Sequence, residues 1–176
     1  MYYADIKKYD VANGPGVRVS LFVSGCTHHC KGCFNEAAWD FKYGNKFTDL
    51  QKNIILKQLE NDFISGITIL GGEPFEFINQ EGILPLLKEV RKKFPNKSIW
   101  VYTGYLFDKN IVQEMSNKNN VTKQLLEIVD VIVDGKFELD KKNLRLKFRG
   151  SSNQRIIDVK SSINSGKVIL MEEFMK

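Results

Sequence analysis

Apolar residues recur along the chain in two alternating rhythms. Val17, Val19, Leu21 and Val23 alternate with Arg18, Ser20 and Phe22, a β-branched run that suits a buried strand. A second short strand is predicted at 66–70, a third at 98–103 and a fourth at 129–133. Between them the period lengthens. Leu50, Ile54, Ile55 and Leu59 recur at helical spacing behind Thr48-Asp49-Leu50-Gln51, a capping-box pattern, so a helix is predicted to about Asn61. Ile83, Leu84, Leu87, Val90 and Phe94 form another helical stripe, which accommodates Pro85 only in its first turn. Asp108 is read as the cap of a short helix through Met115, and residues 122–128 as a further helix. Residues 1–16 read as a loop-rich lead-in ending in Gly14-Pro15-Gly16, and residues 34–47 as a connection with one helical turn near 35–39. The tail alternates weakly, with a last strand predicted at 166–171.

Strands alternating with helices predict βαβ units and a mostly parallel sheet, an α/β fold. Each predicted strand runs into a distinctive stretch: the cysteine loop from Cys26, Gly71-Gly72-Glu73-Pro74, Thr103-Gly104-Tyr105, and Asp134-Gly135-Lys136. Sites in parallel α/β folds gather at the carboxyl ends of strands, so all four stretches are expected on one rim.

Composition narrows the class. The 176 residues suit a single domain with a sizeable core, expected to span 1–176. No apolar run is long enough to cross a bilayer, and the N-terminus carries no signal-peptide core, so a cytoplasmic protein is expected. The net charge of +5 favours solubility. No dense Lys/Arg tract is interleaved with aromatics, which disfavours a nucleic-acid partner.

The three cysteines all fall in Cys26-Thr27-His28-His29-Cys30-Lys31-Gly32-Cys33. An odd, closely spaced set argues against a disulfide framework and for a reducing compartment. Three thiolates are one short of a closed four-thiolate site, and an open metal position is where chemistry happens. Taken alone, the triad leaves open a structural zinc with His28 or His29 as fourth ligand, in a binding module for nucleic acid.

The octapeptide resembles the cluster motif of the radical S-adenosylmethionine enzymes. With Asn13-Gly14-Pro15-Gly16-Val17-Arg18 before it, and Gly71-Gly72-Glu73-Pro74, residues 100–105, residues 133–137 and residues 149–154 after it, the ordered set is similar to the activating proteins of anaerobic (class III) ribonucleotide reductases. That resemblance implies an incomplete (β/α) barrel and one 4Fe-4S cluster held by Cys26, Cys30 and Cys33. It implies reductive cleavage of S-adenosyl-L-methionine to a 5′-deoxyadenosyl radical, which installs a glycyl radical on the catalytic subunit of the reductase. An electron donor such as a flavodoxin follows. It further implies cofactor contacts from Gly32, Cys33 and Phe34, from Gly71, Gly72 and Glu73, from Thr103, and from Asp134 and Lys136. A bulky residue at Gly72 is expected to weaken cofactor binding and leave iron content intact. The rival enzyme is another small member of the superfamily, either an activase for a different glycyl-radical protein or a deazaguanine-forming synthase.

Overall fold

The computed structural model describes residues 1–176. The predicted first strand forms as β2 (Val17–Val23), following β1 (Tyr2–Asp10). β3 (Asn45–Lys46), β4 (Ile64–Gly71), β5 (Ser98–Tyr102), β6 (Val131–Asp134) and β7 (Arg155–Asp158) complete one seven-stranded sheet in the order β3-β1-β2-β4-β5-β6-β7. The four central strands, β2, β4, β5 and β6, are parallel, while β1, β3 and β7 pair antiparallel at the edges. The sheet is therefore mixed, with its parallel part formed by the four strands that the apolar rhythm predicts.

Strand alternation sorts the side chains of these strands onto two faces. Val19, Leu21 and Val23, Ile67 and Ile69, Ile99 and Val101, Ile132 and Ile157 form one core with the helices. α1 (Asp49–Leu59) adds Ile55, Leu56 and Leu59, and α2 (Phe77–Lys93) adds Ile83, Leu84, Leu86, Leu87 and Val90. A π-helical segment, Phe107–Met115, runs into the single turn α3 (Ser116–Lys118) and then α4 (Asn120–Ile128), adding Phe107, Ile111, Leu125 and Leu126. Fully burying each such aliphatic contributes about 1.5–3 kcal/mol, so this face holds the sheet and its helices together. The opposite face carries a separate small cluster of Trp100, Val131, Val133 and Ile156, capped by Phe148 and Phe174. The rest of that face borders an open cleft.

The Thr48 capping box is present: its hydroxyl accepts from Leu50 N–H, and its own N–H donates to Gln51. Other expectations need correction. Residues 2–10 form a strand rather than a loop, flanked by β3 only at Tyr2 and Tyr3; Asp10 is the one fully buried residue of β1, so its sequence lacks the apolar alternation of a half-buried strand. α2 begins at Phe77, which puts Pro85 inside the helix. The heavily buried stripe around it offsets the roughly 3 kcal/mol cost of an interior proline. Asp108 caps nothing; it lies within the π-helical segment and pairs with Arg155 at 2.7 Å. Residues 166–171 make only an isolated bridge, Leu170 to Ile157 of β7, after the chain has passed through α5 (Val159–Ser165). The last helix is α6 (Glu172–Met175). No helix is long and apolar enough to cross a membrane.

At the N-terminal end of the parallel strands, Arg18 is fully buried on the open face. Its guanidinium donates to Thr68 Oγ1 at 2.7 Å, to Ser98 Oγ and O at 2.9 Å, and to Ile67 O at 2.8 Å. It also lies 5.5 Å from the Trp100 ring, a cation–π contact. Every near partner is neutral, and burial lowers its pKa to about 10.

Candidate functional site

Register brings the strand ends together. Val23 lies beside Gly71, and Gly72 N–H donates to Val23 O at 2.7 Å. The chain then turns into the cysteine loop. Gly25 N–H donates to Ala38 O at 2.8 Å, and Cys26 N–H to Trp39 O at 3.2 Å, so the short 3₁₀ turn Glu36–Trp39 closes the loop's far end. Within it His29 adopts a left-handed φ of 48°, unusual for a residue with a side chain, and stacks on Trp39 with ring centroids 4.5 Å apart.

Cys26, Cys30 and Cys33 are all free and line one wall of a cleft of about 330 Å³. Each sulfur meets backbone N–H groups. Those of His28 and His29 face Cys26, that of Phe137 faces Cys30, and that of Asn35 reaches Cys33 Sγ at 3.4 Å. The donors at Cys26 and Cys30 favour the thiolate, and hydrogen bonds to sulfur are among the features that tune a cluster. Burial works the other way. It pushes the Cys26 thiol up to about 11 and raises Cys30, so metal binding here must displace protons. Lys136 is exposed, yet its charge near Cys30 favours the thiolate.

No three His, Cys, Asp or Glu side chains are grouped to hold one metal ion. Both histidines are engaged elsewhere. His28 Nε2 is 2.8 Å from Glu73 Oε2 and its ring packs against Tyr105, while His29 covers Trp39. A four-iron cluster is a wider body than an ion and takes one thiolate per iron. Three free sulfurs on one cleft wall fit such a cluster and would leave one of its irons without a cysteine ligand.

Glu73 is the hub behind the loop. Its carboxylate, 1% exposed, accepts from Thr103 Oγ1 at 2.8 Å, Gly104 N–H at 2.7 Å and Phe75 N–H at 2.8 Å, besides the His28 contact. Its own N–H donates to Gly25 O at 2.8 Å. Glu73 and Thr103 border the cleft, but each satisfies the other. This network ties the second and third strand ends to the cysteine loop. His28, which the sequence offers only as a fourth ligand to a structural zinc, completes it; its partner lies 45 residues away, beyond any local signal.

The remaining expected site residues divide. Gly71, Gly72 and Phe34 line the cleft, and Phe34 is 86% exposed at its rim. A Cβ on Gly72 would stand 2.5 Å from Gly25 O and 3.0 Å from Ala38 O, the two carbonyls that hold the cysteine loop. The expectation that bulk there leaves iron intact is therefore corrected: it would strike the support of Cys26. Gly32 is exposed and backs onto Leu139, away from the cleft lining. Asp134 does not face the cleft. It is fully buried and accepts from Arg155 Nε at 2.9 Å and Phe107 N–H at 2.8 Å. Its role in the structure is to fix the turn after β6.

Sequence reasoning assigned no role to residues 149–154, and the fold supplies one. Gln154 Oε1 accepts from Gly150 and Ser151 N–H at 2.9 and 3.1 Å, and its amide donates to Gly135 O at 3.0 Å. Asn153 donates to Lys136 O at 2.8 Å. The motif thus clamps the segment that brings Phe137 to Cys30. Arg149, Gly150 and Gln154 also line the cleft, opposite Ala12 and Asn13.

Comparison with known proteins agrees with this arrangement. Residues 12–157 match a family described as a 4Fe-4S single cluster domain. The anaerobic ribonucleoside-triphosphate reductase-activating protein of Haemophilus influenzae is 40% identical over 158 residues, 89% of this chain and 97% of its own length. Its namesakes from Escherichia coli and Enterobacteria phage T4 are each 40% identical, across 88% and 89% of this chain and 96% and 93% of theirs. With a cluster-family match over most of its length and relatives this similar end to end, the chain belongs to the family of anaerobic ribonucleoside-triphosphate reductase-activating proteins.

Proposed function

We propose that this protein activates an anaerobic ribonucleotide reductase by installing a glycyl radical on its catalytic subunit. The observation that carries the reading is the cysteine wall: three free sulfurs on one cleft, each met by backbone N–H, with the nearby imidazoles already engaged. Cys26, Cys30 and Cys33 would hold the 4Fe-4S cluster. When bound, the cluster supplies the electron that cleaves S-adenosyl-L-methionine into methionine and a 5′-deoxyadenosyl radical.

The chain's own contribution is placement and exclusion of side reactions. The Gly71–Gly72 turn offers backbone without side chains, so a ligand can approach closely. Phe34 at the rim and Phe137 below it provide apolar surface for an adenine ring. Glu73, Thr103 and His28 act as positioning residues, holding the loop that carries Cys26. Asp134 and Gly32 have no part in binding on this reading, and Lys136 acts on Cys30 by charge.

All the helices but the one-turn α6 lie on one face of the sheet, whereas a doubly wound sheet has them on both. That one-sided cover supports an incomplete (β/α) barrel, a single domain over 1–176, with its concave face open beside the cleft. A protein substrate fits such an opening, because a glycine α-carbon lies within a backbone that must be brought in extended. We assign the electron donor to the flavodoxin class and the activity to the cytoplasm, where thiols stay reduced.

The test is anaerobic. The reconstituted protein, reductant and S-adenosyl-L-methionine should release 5′-deoxyadenosine. With α-deuterated glycine in the reductase, label should enter that product while a glycyl signal appears by electron paramagnetic resonance. Each of Cys26→Ala, Cys30→Ala and Cys33→Ala should abolish cleavage. A triple-alanine variant that still cleaves above background would overturn the reading, and label transfer from a small nucleotide without reductase would favour a synthase.

A further inference from the structure

Residues 136–147 hold five basic side chains against two acidic ones, most of the chain's excess charge in one short segment. Lys141 pairs with Glu138 at 2.6 Å; Lys142, Arg145 and Lys147 are exposed and make no ion pair within the chain. Between them Leu144 is 90% exposed, and across the cysteine loop Phe34 is 86% exposed. These are the two most exposed large apolar side chains in the protein. Asn143 N–H donates to Gly150 O at 3.2 Å and Tyr102 Oη to Phe148 O at 2.8 Å, which closes a loop. Leu146 and Phe148 on its inner side line the cleft, and Leu144 stands outside at its tip. Leu139, at the base of the segment, sits against Gly32, between Lys31 and Phe34 of the cysteine loop.

A single exposed leucine is ordinary on a protein surface, so its meaning here comes from the three unpaired cations around it and from Phe34 across the cysteine loop. An apolar centre rimmed by unpaired cations matches the anatomy of a protein interface, with charge at the rim steering the encounter. A single-stranded nucleic acid would call for exposed aromatic rings among the cations, whereas the aromatic of this loop, Phe148, lines the cleft and its exposed tip is Leu144. We infer that the loop around Leu144, with Lys142, Arg145 and Lys147, docks an acidic, partly apolar face of the reductase beside its target glycine. The inference rests on the activase reading. It adds where the partner sits: on the cleft's outer wall, so that the glycine segment enters past Phe34.

Two variants test it: Lys142→Glu, Arg145→Glu and Lys147→Glu combined, and Leu144→Ser alone. All four side chains are exposed and outside the cleft, so the fold and the bound cluster should persist. Cleavage of S-adenosyl-L-methionine by the reconstituted protein alone is measured first, then anaerobic binding to the reductase catalytic subunit across a salt series. Unpartnered cleavage should stay within about twofold of the parent, while the charge reversals slow association by roughly 10- to 100-fold and flatten its salt dependence. Leu144→Ser should speed dissociation, and glycyl radical yield should fall with both. Unchanged reductase affinity in both variants overturns the inference. So does a variant that loses unpartnered cleavage, which would make the loop a wall of the active cleft only. Charge-sensitive binding to an RNA or DNA duplex, with reductase binding unaffected, overturns it in favour of a nucleic-acid surface. A parent that cleaves no S-adenosyl-L-methionine instead sinks the activase reading itself.

Discussion

Replacing Gly72 by alanine should damage both stability and iron loading. The added Cβ would stand 2.5 Å from Gly25 O, whereas ordinary contact begins at 3.4 Å, so something must yield by about 0.9 Å. Neither neighbour is a flexible side chain. Gly25 O accepts from Glu73 N–H, and Ala38 O, 3.0 Å from the same Cβ, accepts from Gly25 N–H. Overpacking against backbone costs about 1–3 kcal/mol, and loosening these two hydrogen bonds adds up to about 1 kcal/mol each. The sum is roughly 1–5 kcal/mol, borne by the residue that precedes Cys26. Gly166→Ala is the control. Nothing lies within 4 Å of its Cβ, so only the left-handed φ of 70° is penalised, by about 1–2 kcal/mol. Denaturant unfolding gives the stability term. Iron and sulfide per chain after anaerobic reconstitution give the other. Gly72→Ala should lose iron while Gly166→Ala keeps it. Full iron content and parental stability in Gly72→Ala would refute the link between this turn and the cysteine loop.

Glu73→Ala should destabilise by about 3–5 kcal/mol, since it leaves buried N–H and hydroxyl donors of Phe75, Gly104 and Thr103 without an acceptor; urea titration measures this. Glu73→Gln keeps an acceptor and should recover part of that loss. Acid stability depends partly on Asp108, whose hydrogen bond with Arg155 holds its carboxyl below the ordinary 3.8. A depressed folded-state value contributes stability above the unfolded value and loses it as pH falls through the folded one. The acid limb of Asp108→Asn, followed by circular dichroism below about pH 4, should therefore be shallower than the parent's. An equally steep limb would show that Asp108 carries none of it.

The four parallel strands were legible because a buried strand must be apolar on its own account, whatever it pairs with. The same holds for α1, whose capping box is a local exchange between Thr48 and Gln51. The cysteine triad was legible because its three members sit close in sequence on one loop. What the sequence left hidden depends on partners far along the chain. β1 buries only Asp10 fully, so no apolar periodicity marks it. Asp134 looked like a strand-end ligand until the fold brought Arg155 to it. Glu73 looked like a cofactor contact until Thr103, Gly104 and His28, 30 to 45 residues distant, took its carboxylate. Sequence by itself thus determined the chemistry on offer and the strands that carry it, since both follow from side-chain type and short-range spacing. The tertiary structure alone decided which polar groups remain free for a ligand, because a hydrogen bond made across the sheet spends a side chain without leaving any trace in its neighbours.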